Sequence, residues 1–71
     1  MEEKMVQSRF ERLVKLFKEE RGHKSYVVIR HKLNHPSQRL LRKVLNMATE
    51  QGVLCRRKNG KYAAMPKLHK L

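Results

Sequence analysis

Two clusters of basic and polar side chains carry the residue types that bind phosphates and nucleobases. The first cluster lies within residues 37–46 and contains Ser37, Gln38, Arg39, Arg42, Lys43 and Asn46. The second lies within residues 56–61 and contains Arg56, Arg57, Lys58 and Lys61. Basic side chains neutralise phosphates, arginine can also pair with guanine, and the first turn of a helix favours an anion. These ten residues are therefore the candidate nucleic-acid-binding residues.

No other set of residues has the types and spacing of a catalytic or metal site. Glu50 is the one acidic residue after position 20, so that part of the chain offers no carboxylate pair for acid–base catalysis. Cys55 has no second cysteine, and the four histidines do not complete a zinc-ligand pattern with it. We therefore predict that the protein is not an enzyme and uses no catalytic residue, metal, cofactor or small-molecule substrate.

The net charge is large and unevenly distributed. The chain holds 18 Lys and Arg against 6 Asp and Glu, a formal charge of +12. Residues 1–20 carry five bases and five acids, whereas residues 21–71 carry thirteen bases and one acid, so the whole excess lies in the second segment. Repulsion among so many positive charges destabilises a fold unless a polyanion binds, and nucleic acid is the commonest polyanionic partner. The alternative interpretation is a soluble basic protein, similar to ribosomal proteins or to a basic tag, that does not recognise any particular nucleic-acid sequence.

Length and hydropathy restrict the fold class and the compartment. A chain of 71 residues forms one small domain, which we expect to be monomeric. No apolar run approaches the roughly 18 residues that span a bilayer, and no signal peptide is evident, so no membrane partner is predicted. A single cysteine suits a reducing intracellular compartment, which in a eukaryote would be the nucleus.

Apolar periodicity predicts a first helix over about residues 8–20. Ser8 is the expected N-cap, with Glu11 completing a capping box, and Gly22 follows the end of the helix. Residues 1–7 are predicted to be a flexible lead-in that could extend this helix by a turn.

A second and a third helix follow. Residues 25–33 are ambiguous, because their β-branched run suits a strand, but an N-cap at Ser25 and helical spacing favour a short helix. The third helix is expected to have Pro36 at its first position and to reach about residue 51. Its apolar stripe consists of Leu41, Val44, Leu45 and Ala48.

A β-hairpin is predicted over residues 53–57 and 62–65. Asn59 and Gly60 are typical of a two-residue type I′ turn. That turn pairs Arg57 with Tyr62, Cys55 with Ala64, and Leu54 with Met65. Residues 66–71 are expected to be a loose basic tail, which leaves residues 8–65 as the folded domain.

This order of elements is that of a winged helix, an α+β fold of three helices followed by a short antiparallel hairpin, or wing. Residues 10–65 resemble the globular domain of linker histones and the related winged-helix modules of chromatin proteins. Residues 10–22 are similar to that family's first helix, and residues 40–54 to its third helix and first wing strand. The resemblance implies binding to nucleosomal or linker DNA largely through phosphates. The matching bases are Arg39, Arg42, Lys43, Arg57, Lys58 and Lys61.

We therefore predict phosphate-directed binding of double-stranded DNA by a basic third helix and a basic wing, in a chromatin or transcription-associated module. One alternative is an RNA-binding winged helix of a ribonucleoprotein, although the lack of an aromatic platform disfavours single strands. The other is a protein-interaction winged helix with an acidic partner, for which the neutral surface of the first helix is the expected docking face.

Overall fold

The computed structural model describes residues 2–71, and these form three α-helices, a two-stranded antiparallel sheet and a C-terminal 3-10 helix. The helices are α1 (Glu2–Glu19), α2 (Tyr26–Lys32) and α3 (Gln38–Glu50). The strands are β1 (Leu54–Arg56) and β2 (Tyr62–Ala64), and the 3-10 helix is Pro66–Lys70. Three helices followed by a hairpin confirm the predicted α+β winged-helix layout. None of the described helices has the length and apolar character needed to cross a membrane.

Helix α1 begins earlier than the sequence predicts, at Glu2. Val6 packs partly buried against the core together with Phe10, which extends the apolar face of α1 by about one turn toward the N-terminus. Ser8 therefore lies inside the helix, and the predicted capping box at this residue is wrong. From residue 2 onward, the predicted lead-in is part of α1.

Residues 25–33 form the predicted helix α2, and the strand alternative is wrong. The Ser25 hydroxyl caps α2 by accepting the N–H of Val28 at 3.3 Å. Asn34 adopts a left-handed conformation after the last turn, with φ of +64°. The N–H of His35 then donates to the carbonyl of Arg30 at 2.8 Å, which closes a Schellman motif and turns the chain toward α3.

Helix α3 starts at Gln38, two residues after the predicted first position at Pro36. Ser37 is the N-cap and accepts the N–H of Leu40 at 3.2 Å, so Pro36 precedes the helix and does not occupy its first position. The predicted apolar stripe is buried and packs mainly against α1. Because that stripe fixes the rotation of α3, the polar residues on the rest of its surface face solvent.

The wing, residues 54–64, has a different register from the predicted one. Leu54 pairs with Ala64, Cys55 with Ala63, and Arg56 with Tyr62, a shift of one residue. The reason is the turn: Gly60 has φ of +82°, but Asn59 does not take the positive φ that type I′ requires. The N–H of Gly60 donates to the carbonyl of Arg57 at 3.0 Å. This is a three-residue loop with a glycine bulge, which adds one residue to the connection.

A third segment joins the edge of the wing. Lys24, between α1 and α2, forms an isolated antiparallel bridge with Tyr62, through N–H···O bonds of 2.9 Å and 2.8 Å. The Lys24 side chain is buried, with its ammonium 5.6 Å from the centre of the Phe17 ring. The bridge therefore fixes the wing relative to the start of α2.

The predicted loose tail is wrong, because residues 66–70 form a 3-10 helix docked on the core. Leu68 is fully buried and belongs to the same hydrophobic cluster as α1 and α3. The Lys18 ammonium donates to the carbonyl of Leu71 at 2.8 Å. Pro66 at the start of this helix and the burial of Leu68 together explain why so basic a segment is ordered.

Candidate nucleic-acid interface

A cleft of about 380 Å³ separates α3 from the wing, and we refer to it as the wing cleft. Its lining residues come from α2, α3 and the hairpin: Tyr26, Gln38, Arg42, Leu45, Asn46, Arg56, Gly60 and Tyr62. A cationic helix face and a cationic hairpin therefore meet on the same side of the molecule.

The α3 side of the wing cleft is a row of polar side chains at helical spacing. Gln38, Arg42 and Asn46 are four residues apart, so they lie one above the other along the helix. All three are exposed, and the buried Leu45 lies beside them at the floor. Burial of the apolar stripe fixes the rotation of α3, so this row faces the wing and its polar side chains are not needed to hold the helix in place.

The wing side is set by the observed strand register. Arg56 is directly opposite Tyr62, and both residues line the wing cleft. In the predicted register Arg57 would have been the neighbour of Tyr62. The one-residue shift thus makes Arg56 the guanidinium that faces α3.

The remaining bases of the wing lie on a second groove. Arg57, Lys58 and Asn59 line it together with His23 and with Arg56, which borders both grooves. Lys61 is exposed beyond the turn and is not among the residues that line either groove. The predicted wing residues are therefore divided between two surfaces.

The predicted residues of α3 are likewise divided. Gln38, Arg42 and Asn46 line the wing cleft, whereas Arg39 and Lys43 lie exposed on the adjoining surface of the helix. The Ser37 hydroxyl is engaged as the N-cap of α3. Four of the ten predicted residues are thus brought together in the wing cleft, and Arg57 and Lys58 are brought together in the second groove.

The sequence did not assign Tyr26, Leu45 or His23 to a site, whereas it predicts that Asn59 and Gly60 at the tip of the wing allow close approach to a sugar–phosphate chain. Tyr26 and Leu45 have the helical spacing of core residues, and His23 lies in a connection without a motif. For Tyr62 the sequence leaves two roles, stacking on a base or a place at the core or rim, with the second favoured; Tyr62 both packs against the core and lines the wing cleft. These residues become site residues only because α2 and the wing meet in the folded chain.

The charges of the two arginines that line the wing cleft are not paired with acidic residues in the part of the chain that the structure describes. Two exposed ion pairs, Lys15–Glu19 and Lys32–Glu20, use acids at the end of α1. Arg42 and Arg56 form no ion pair with the residues that the structure describes. Both guanidinium groups are therefore available to an anion, at a site where two like charges face one cleft.

Metal ligands do not assemble in the part of the chain that the structure describes. No group of three or more His, Cys, Asp or Glu side chains there could hold a metal ion. His31 and His35 form a pair with 3.2 Å between Nδ1 and Nε2, at the end of α2. Cys55 is a free thiol, half-buried in β1.

Comparisons of the chain with family models, with curated proteins and with solved structures find no match. The resemblance to linker histones stays a prediction from the residues that suggested it. The functional argument therefore depends on the geometry of α3, the wing and the cleft between them.

Proposed function

We propose that the protein binds double-stranded DNA, largely through its phosphates, with α3 in the major groove and the wing on the adjoining backbone. The observation that carries the proposal is the wing cleft, where Arg42 of α3 and Arg56 of β1 face one space. An anionic strand between them would contact both guanidinium groups. The same arrangement suits a chromatin or transcription-associated module, which in a eukaryote would act in the nucleus.

The dimensions of the protein are compatible with one turn of duplex. Helix α3 has 13 residues and is therefore about 20 Å long. The B-DNA major groove, about 12 Å wide, admits such a helix, whereas the deep and narrow major groove of A-form RNA does not. The longest dimension of the protein, 30 Å, corresponds to about 9 base pairs at roughly 3.4 Å each.

Seven bases on α3 and the wing are the proposed phosphate contacts: Arg39, Arg42, Lys43, Arg56, Arg57, Lys58 and Lys61. If about six phosphates are neutralised, log K against log salt has a slope of about −5.4. Between 50 and 200 mM salt the affinity would then fall by about 10³.

The test is fluorescence anisotropy with a labelled blunt 16-base-pair duplex, titrated at salt steps from 50 to 200 mM. We expect binding at 50 mM and a slope of about −5. The absence of binding at 50 mM, or a slope near zero, would contradict the proposal. Competition with duplex RNA of the same sequence separates the RNA alternative, because we expect the RNA to compete poorly.

A further inference from the structure

The wing cleft has a different lining from a surface that only contacts phosphates. Tyr26, Leu45 and Tyr62 supply aromatic and apolar surface, and two of the four aromatic residues of the chain are gathered here. Both tyrosines are half-buried, so each keeps part of its surface accessible. A phosphate gains nothing from such surface, but a nucleobase stacks on it.

The polar groups around this surface match the rest of a nucleotide. The amides of Gln38 and Asn46 each offer a donor and an acceptor, which is what the edge of a base requires. Arg42 and Arg56 are on the two sides of the cleft and can hold the attached phosphate. A volume of about 380 Å³ lies within the range of about 300–1000 Å³ typical of small-ligand sites.

The Tyr26 hydroxyl is not part of the accessible surface of the wing cleft. It is buried and has no hydrogen-bond partner among the described residues. A ligand in the wing cleft would therefore meet the half-buried ring of Tyr26 and not this hydroxyl.

We propose that the wing cleft binds one unpaired nucleotide, with its base against Tyr26 and Tyr62 and its phosphate between Arg42 and Arg56. A base within a duplex cannot enter, because its faces are stacked on its neighbours and only its edge is exposed. The protein therefore prefers duplex DNA that carries an unpaired end over continuous duplex. This inference rests on the proposed function and names the substrate class of the same surface.

The test compares five probes by anisotropy at one salt concentration: a blunt duplex, the same duplex with a three-nucleotide 3′ overhang, the same with a 5′ overhang, and an abasic version of each overhang. We expect at least one overhang to bind about ten-fold more tightly than the blunt duplex, the effect of one stacked base. The abasic overhang has the same phosphates, so it should lose this gain. Equal affinity for normal and abasic overhangs of both polarities would overturn the inference.

A matched pair of variants tests whether the unpaired nucleotide that raises the affinity binds in the wing cleft. Arg56→Ala and Arg57→Ala remove the same charge from neighbouring exposed positions, but only Arg56 lines the wing cleft. We expect R56A to reduce the gain from the overhang, because the phosphate that positions the stacked base loses one of its two arginines, and R57A to weaken every probe by the same factor. A gain that survives R56A unchanged, or that both variants reduce equally, would contradict the assigned place of the nucleotide.

The two proposals can fail separately. Tight binding of the blunt duplex without any gain from an overhang overturns the nucleotide site and leaves duplex binding intact. Binding of overhangs without measurable binding of the blunt duplex overturns the duplex proposal and supports the nucleotide site. NMR contacts between base protons and the rings of Tyr26 and Tyr62 are expected in the overhang complex, and their absence there would contradict the stacking.

Discussion

Removing the two arginines that face each other across the wing cleft should weaken DNA binding by a calculable amount. Each phosphate contact contributes about 0.9 to the slope of log K against log salt. The double variant Arg42→Ala/Arg56→Ala should therefore reduce the slope by about 1.8; with equal affinities of variant and wild type at 1 M salt, this is a loss of about 60-fold in affinity at 100 mM salt and about 18-fold at 200 mM. Both side chains are exposed, so the fold should be unaffected. Anisotropy titrations of a blunt duplex at several salt concentrations measure both quantities.

The control has the same change in charge on another surface. Arg12→Ala/Lys15→Ala removes two exposed bases of α1, neither of which lines the wing cleft. Long-range attraction predicts a small loss for this pair, well below that of the cleft pair, because surface charges beyond about 10 Å are screened at 0.1 M salt. Equal losses for the two double variants would refute the reasoning, since binding would then depend on net charge and not on the cleft. Circular dichroism melts of all variants verify that each remains folded.

Three further predictions concern the elements that position the interface. Leu68→Ala should lower the free energy of unfolding by about 2–5 kcal/mol, because Leu68 is fully buried, whereas Leu71→Ala at an exposed position should change it little. Urea unfolding measures both variants, and equal small effects would mean that the C-terminal helix is not docked on the core. Ser37→Ala should cost about 0.5–2 kcal/mol through loss of the α3 N-cap, and Ser37→Gly only a few tenths, a contrast that the same assay can resolve. Gly60→Ala should lower the free energy of unfolding by about 1 kcal/mol through its positive φ alone, because no atom lies within 4 Å of the added methyl group. An unchanged midpoint of urea unfolding would show that the wing turn differs from the one described.

The helices could be predicted because their signals are local. The apolar stripe of α3 and the N-cap at Ser25 are encoded within a few residues, and both are confirmed. The start of α1 was missed because residues 2–7 carry no capping signal, and their helical state depends on Val6 packing against the rest of the core. Local patterns therefore predict that a helix exists better than where it begins.

The wing shows why a turn motif does not settle a register. Asn-Gly is compatible both with a two-residue type I′ turn and with a three-residue loop in which only the glycine is left-handed. The chain adopts the second, and the pairing moves by one residue. The bridge between Lys24 and Tyr62 joins segments far apart in sequence, and no local pattern reports it.

The site could be predicted only in part, because local sequence patterns do not report contacts between segments that are distant in the chain. Gln38, Arg42 and Asn46 are among the predicted binding residues of α3, and the structure places all three in the wing cleft. That Arg56 and not Arg57 faces them follows from the register, and that Tyr26 joins them follows from the packing of α2 beside the wing. Leu68 could not be assigned to the core from the sequence, because the basic C-terminal segment has only two leucines, Leu68 and Leu71, which are too few to define a period.

The most direct test of the central claim is an NMR titration of the ¹⁵N-labelled protein with a short blunt duplex at 50 mM salt. We expect the largest chemical-shift changes in the wing cleft, at Arg42, Asn46 and Arg56, with smaller changes that spread to the turn of the wing. The outer surface of α1 around Arg12 should change little. Shift changes centred on α1, with the wing cleft unaffected, would contradict the claim that α3 and the wing grip the duplex together.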